Sequence, residues 1–159
     1  MPDVVDKQTR SRMMSGIKGK NTKPEIVIRQ ALHRAGFRYR IHDKRLPGKP
    51  DLVLPKYHAV IFVNGCFWHG HGCHLFKWPS TRQEWWRAKI TRTVEIDRQH
   101  LVALDDLGWR VAIVWECALK GKTRLDFDQV VGTLAAWLRS GETSRLDIAG
   151  SEAASSAVG

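Results

Sequence analysis

With 159 residues the chain is long enough for one domain with a real hydrophobic core and too short for a second large one. Twenty-six Lys and Arg against sixteen Asp and Glu give a formal net charge of +10, an excess that favours a polyanionic partner and says nothing about fold. No run approaches the roughly 18 consecutive apolar residues of a membrane span, and the opening MPDVVDKQTR lacks the apolar core of a secretory signal. Three cysteines do not make a disulfide framework. A cytoplasmic protein without membrane association is expected, and its cysteines read as metal ligands or buried thiols.

Residues 1–20 set Lys7, Arg10, Arg12, Lys18 and Lys20 among Ser, Gly and Met with no sustained periodicity, which reads as a basic arm. Thr22 followed by Glu25, with Pro24 in the first turn, is a capping-box pattern and predicts a helix to about Gly36. Phe37, Tyr39 and Ile41 alternate with Arg38, Arg40 and His42, the period of a half-buried strand. DLVL and AVIFV, separated by the turn-like PKYH, predict two neighbouring strands at the centre of a sheet. Residues 64–80 have neither period. Thr81 with Glu84 repeats the capping-box pattern ahead of one long helix to Gly108. WRVAIVW then predicts a buried strand, and Asp126 the cap of a last helix to about Arg139. The order implies a mixed α/β domain, helices packed on a central sheet, over residues 21–140, with 141–159 a Ser-, Ala- and Gly-rich disordered tail.

Cys66, His71 and Cys73 lie within eight residues, and Cys117 follows WRVAIVW, which can return it to the same end of the sheet. Together they offer four donors for a structural zinc, with Gly70 and Gly72 allowing a tight bend; His69 and His74 compete as ligands, and buried thiols are the alternative. Asp51, at the start of DLVL, is placed to hold a hard ion such as magnesium, though a PD dipeptide equally marks a turn. His69 suits a general base, unless it is a core or zinc-bound histidine. Phe67 and Trp68, adjacent on a Gly-rich loop, cannot easily both face a core and are candidates for stacking on bases, as Met13, Met14 and Ile17 are for wedging. Trp109, Trp115 and Trp137 fit the core.

The run LPGKPDLVLPKYHAVIFVNGCFWHGHGCHLFKWPSTRQEWW, with EIDRQH, LGWRVAIVWEC and the opening DKQTRSRMMSGIKGKNTKPE, resembles the very-short-patch repair endonucleases over about residues 1–140. The resemblance implies a restriction-endonuclease-like fold and an enzyme that nicks one strand of double-stranded DNA 5′ of the mispaired thymine at T:G mismatches left by 5-methylcytosine deamination. It implies catalytic Mg2+ on Asp51 and the Val63 carbonyl, His69 as the base oriented by Asp97, and Glu25 supporting the hydrated metal. It implies Zn2+ on Cys66, His71, Cys73 and Cys117, an aromatic wedge of Phe67, Trp68 and Trp86, and minor-groove contact by Met14 and Ile17. A monomer is expected, nucleoid-associated in a bacterium and linked to a cytosine-5 DNA methyltransferase and mismatch repair proteins. Where some relatives carry a histidine near the scissile phosphate this chain has Asn64, which donates a hydrogen bond but transfers no proton. Two rivals remain: a zinc-stabilised DNA-binding module without catalysis, and a restriction-type nuclease that cuts both strands.

Overall fold

The computed structural model describes residues 22–151; the basic arm with Met13, Met14 and Ile17, and the end of the tail, lie outside them. In chain order the elements are α1 (Lys23–Arg34), β1 (Arg40–Ile41), β2 (Leu52–Leu54), β3 (Ala59–Asn64), α2 (Gln83–Asp106), β4 (Arg110–Trp115), α3 (Phe127–Ser140) and β5 (Arg145–Ile148). The strands form one mixed sheet in the order β1-β2-β3-β4-β5. The first three are antiparallel neighbours, whereas β3, β4 and β5 run parallel. Each parallel pair is joined through a helix, as parallel strands require.

Side-chain alternation divides the core between the two faces of this sheet. Leu52, Leu54, Ile61, Ala112 and Val114 meet Ile28 and Leu32 of α1 and Leu134 and Leu138 of α3. Val53, Val60, Val111 and Ile113 meet Leu104 of α2. Strands covered on both sides read as continuous apolar runs, which is why DLVL and AVIFV were legible. No helix among the described residues is long and apolar enough to cross a membrane.

Three expectations are corrected. Neither capping box forms: Thr22 makes no side-chain cap, and α2 starts behind Arg82, whose left-handed backbone (φ 53°) replaces the cap expected at Thr81. Glu25 is drawn instead into the protein by Arg29 and His42. The strand expected from Phe37 shrinks to Arg40–Ile41, because Phe37 is buried against α1 and α3 rather than paired. The tail expected from residue 141 instead contributes β5, parallel to β4 from Arg145 to Ile148, where Ile148 fills the core. The cap at Asp126 does form, its Oδ2 accepting from the Gln129 N–H at 3.2 Å. Arg110 closes the other end of α3, donating to the carbonyls of Trp137 (2.6 Å) and Leu138 (3.4 Å).

Candidate functional site

Asp51 immediately precedes β2, and the antiparallel β2–β3 pairing brings it beside Val63, whose N–H donates to Asp51 Oδ2 at 2.7 Å. Glu25, on the inner face of α1, is 1% exposed, and its Oε2 accepts from Arg29 Nη1 at 2.9 Å and lies 2.6 Å from His42 Nε2. Ligand atoms of Glu25, His42 and Asp51 all lie within 4.8 Å of one another. Burial, reinforced by the Glu25 carboxylate, pushes the Asp51 carboxyl from its usual 3.8 up to about 7, although the Val63 N–H and the nearby His69 oppose the shift. Two carboxylates crowded in a partly dehydrated recess, one of them held off ionisation, fit a hard divalent cation, which takes oxygen ligands and relieves exactly this repulsion of like charges.

His42 was not singled out from the sequence. Its amide donates to the Asp51 carbonyl at 3.1 Å while its ring meets Glu25, so one residue ties both acids together. To do so it takes a left-handed backbone (φ 50°), uncommon outside glycine. In the sequence it was visible only as the last polar position of a basic strand face.

His69 stands on the loop after β3, its Nδ1 2.6 Å from Asp97 Oδ2 on α2. A carboxylate can only accept, so Nδ1 carries the hydrogen, which in the neutral ring leaves the lone pair on Nε2. Gly70 makes this approach possible: its φ is +63°, and a Cβ there would stand 2.8 Å from Val94 Cγ2 and 3.0 Å from Ile90 Cγ2. Gly72, expected to bend the loop as well, has no positive φ and open space around it.

Donor atoms of Cys66, His71, Cys73 and Cys117 lie within 4.8 Å of one another, with Cys117 Sγ 3.7 Å from His71 Nδ1. Thiolates around tetrahedral zinc stand about 3.8 Å apart, given Zn–S bonds of about 2.3 Å. Three sulfurs and one imidazole, two of the thiols buried, fit a closed zinc tetrahedron. Without a metal, burial raises the thiol pKa of both Cys66 and Cys117, so a cation is what would let these groups ionise. The competing histidines are placed elsewhere: His69 meets Asp97, and His74 Nδ1 is 3.4 Å from Thr123 Oγ1. Trp115, assigned to the core, packs half-buried against the cluster of Val53, Val60 and Ile113 and also stacks on His71, with centroids 4.1 Å apart and an interplanar angle of 11°.

Asp51, His42 and His69 open onto a cleft of about 870 Å³, lined also by Val63, Asn64, Phe67 and Trp68. Lys89, Thr93, Asp97 and His100 of α2 line it as well, a polar stripe at three- and four-residue spacing on one side of the helix. Phe67, Trp68 and Trp86 form a cluster, with centroids 5.1 to 5.9 Å apart. Glu116 links the two halves: it lines the cleft, and its Oε1 accepts from the Cys66 N–H at 3.2 Å.

Residues 2–75 match the family model described as DNA mismatch endonuclease Vsr. The DNA mismatch endonuclease Vsr of Escherichia coli (strain K12) is 44% identical over 151 residues, 94% of this chain and 97% of that protein. The type II nicking enzyme V.XorIIP of Xanthomonas oryzae pv. oryzae is 44% identical over 75% of this chain and 88% of its own length. The type II nicking enzyme V.NmeAIP of Neisseria meningitidis serogroup A is 45% identical over 77% of this chain and 87% of its own. Similarity of this extent, running through the cleft and the cysteine cluster alike, shows that the chain belongs to the Vsr family of DNA mismatch endonucleases.

Proposed function

We propose that this endonuclease nicks one strand of duplex DNA on the 5′ side of the mispaired thymine in T:G mismatches, the lesion left when 5-methylcytosine deaminates, by magnesium-dependent hydrolysis. The observation that carries the reading is the convergence in one cleft of Asp51, backed by the buried Glu25, with the His69–Asp97 pair.

Asp51 would hold the ion, with the Val63 carbonyl as a further ligand and Glu25 supporting its hydration shell; bound there, magnesium would supply charge stabilisation at the scissile phosphate. His69 takes a proton from the attacking water through Nε2, and Asp97 accepts the Nδ1 hydrogen, holding the tautomer and favouring the imidazolium that forms. Asn64, at the end of β3 and on the cleft wall, donates its amide hydrogens to a phosphate oxygen. Proton transfer therefore rests on His69. Phe67, Trp68 and Trp86 stack on bases at the distorted step, as Met14 and Ile17 of the basic arm do from the opposite groove. Cys66, His71, Cys73 and Cys117 hold zinc, which has a closed set of four donors and pins the loop carrying His69 and the aromatics.

The substrate is tested by comparing T:G duplexes with matched duplexes of the same sequence in magnesium. Preferential cutting of T:G is expected; equal cutting of both, or of neither, overturns the assignment. The Asp51→Ala variant is expected to retain DNA binding by fluorescence anisotropy and to lose cutting.

A further inference from the structure

The segment that follows α3 directs its contacts to the cysteine cluster. In the parallel pairing of β5 with β4, Asp147 stands opposite Ile113 and Ile148 opposite Val114. Asp147 Oδ1 accepts from Trp115 Nε1 at 3.1 Å, and Trp115 is the ring that lies flat on His71. Two residues beyond β5, the Gly150 N–H donates to Cys117 Sγ at 3.2 Å, with both residues buried. Only glycine fits there, because a Cβ would lie 2.6 Å from the Cys117 carbonyl oxygen and 2.8 Å from Thr123 Cβ. Thr123, 2% exposed, donates its hydroxyl to the Cys117 carbonyl at 3.0 Å, and the Ser151 N–H donates to the Thr123 carbonyl at 3.0 Å.

Two of the four donors thus depend on this segment, Cys117 directly through its sulfur and His71 indirectly, through the Trp115 ring that Asp147 holds. We infer that residues 145–151 are the outer clamp of the metal centre, and that retention of the ion depends on Gly150 and Asp147 as positioning residues. An N–H···S bond stabilises the thiolate a metal needs, and stacking fixes the imidazole plane, so the donors remain arranged for the ion. Partners of this outer kind are worth about 10- to 100-fold in metal affinity. The inference rests on the reading of the cluster as a zinc site.

The test uses the full chain, with zinc content by elemental analysis, zinc release to a colorimetric chelator at a temperature where every variant is folded, and the absorption bands of the cobalt-substituted protein. Asp147→Ala and Gly150→Ala are expected to release zinc about 10- to 100-fold faster and to shift the cobalt bands, while Asp147→Asn, whose side-chain oxygen still accepts from Trp115, stays within about threefold of the parent. Leu32→Ala is the control, since it loosens the core from α1, outside both the donors and residues 145–151. It is expected to lower the thermal midpoint while leaving zinc release and the cobalt bands as they were. Unchanged release from Asp147→Ala and Gly150→Ala, or equal acceleration in Leu32→Ala, overturns the clamp while leaving the zinc reading intact. A parent chain that holds no zinc overturns the zinc reading, and the clamp with it.

Discussion

Replacing Asp51 by Asn removes one of two acids crowded into the cleft while keeping its shape. The Asp51 carboxyl titrates near 3.8 when exposed and at about 7 in the fold. Between those values the folded protein holds a proton the unfolded chain has lost, so stability falls as pH rises through that window and the full cost remains above pH 7. At about 1.4 kcal/mol per pH unit the cost reaches roughly 4 kcal/mol at most. In magnesium-free buffer Asp51→Asn is therefore expected to gain on the parent as pH rises from 5 to 8, ending several degrees higher, at roughly 2–6 °C per kcal/mol for a domain of this size. Differential scanning calorimetry at both pH values measures the gap. Magnesium at pH 8 is expected to raise the parent more than the variant, because the variant lacks the Asp51 carboxylate that the ion would bind. An Asn variant less stable than the parent at pH 8, or a gap independent of pH, refutes the account of a carboxyl held off ionisation by burial and by the Glu25 carboxylate.

Three further substitutions probe the parts around that pair. Asp97→Asn should slow single-turnover nicking about 10²- to 10⁴-fold, the range of a lost acid–base contribution, with DNA affinity unchanged in anisotropy titrations. His42→Ala releases Glu25 from its 2.6 Å contact and is expected to raise the magnesium concentration for half-maximal nicking about tenfold; an unchanged requirement would remove His42 from the site. Gly70→Ala must place a side chain at φ +63° against Val94 and Ile90; urea denaturation should show a loss of about 1–3 kcal/mol, and nicking should fall with it as His69 is displaced from Asp97.

The sheet's centre was legible because DLVL, AVIFV and WRVAIVW are buried on both faces and carry their assignment in composition alone. The cysteine cluster was legible as a set of residue types, but its choice of histidine was not. His69, His71 and His74 are chemically equal in the sequence, and only the placement of Asp97 and Thr123 separates them. The first capping box misled because Glu25 has stronger partners, in Arg29 one turn along α1 and in His42 from beyond the helix, than a backbone N–H at its own helix end. β5 was hidden because an edge strand buries few of its residues: in RLDI only Ile148 is fully buried and Leu146 partly so, and the surrounding Ser, Gly and Glu dominate the composition. Gly150 had no signal at all, since its role depends on Cys117 and Thr123 arriving from elsewhere in the chain.

The central claim is tested most directly by mapping the nick on a duplex that carries one T:G mismatch and a distinct label on each strand, with and without magnesium. The account predicts a single magnesium-dependent break immediately 5′ of the mispaired thymine and an intact guanine strand. Breaks in both strands, cutting at a position unrelated to the mismatch, or equal cutting without magnesium would contradict it.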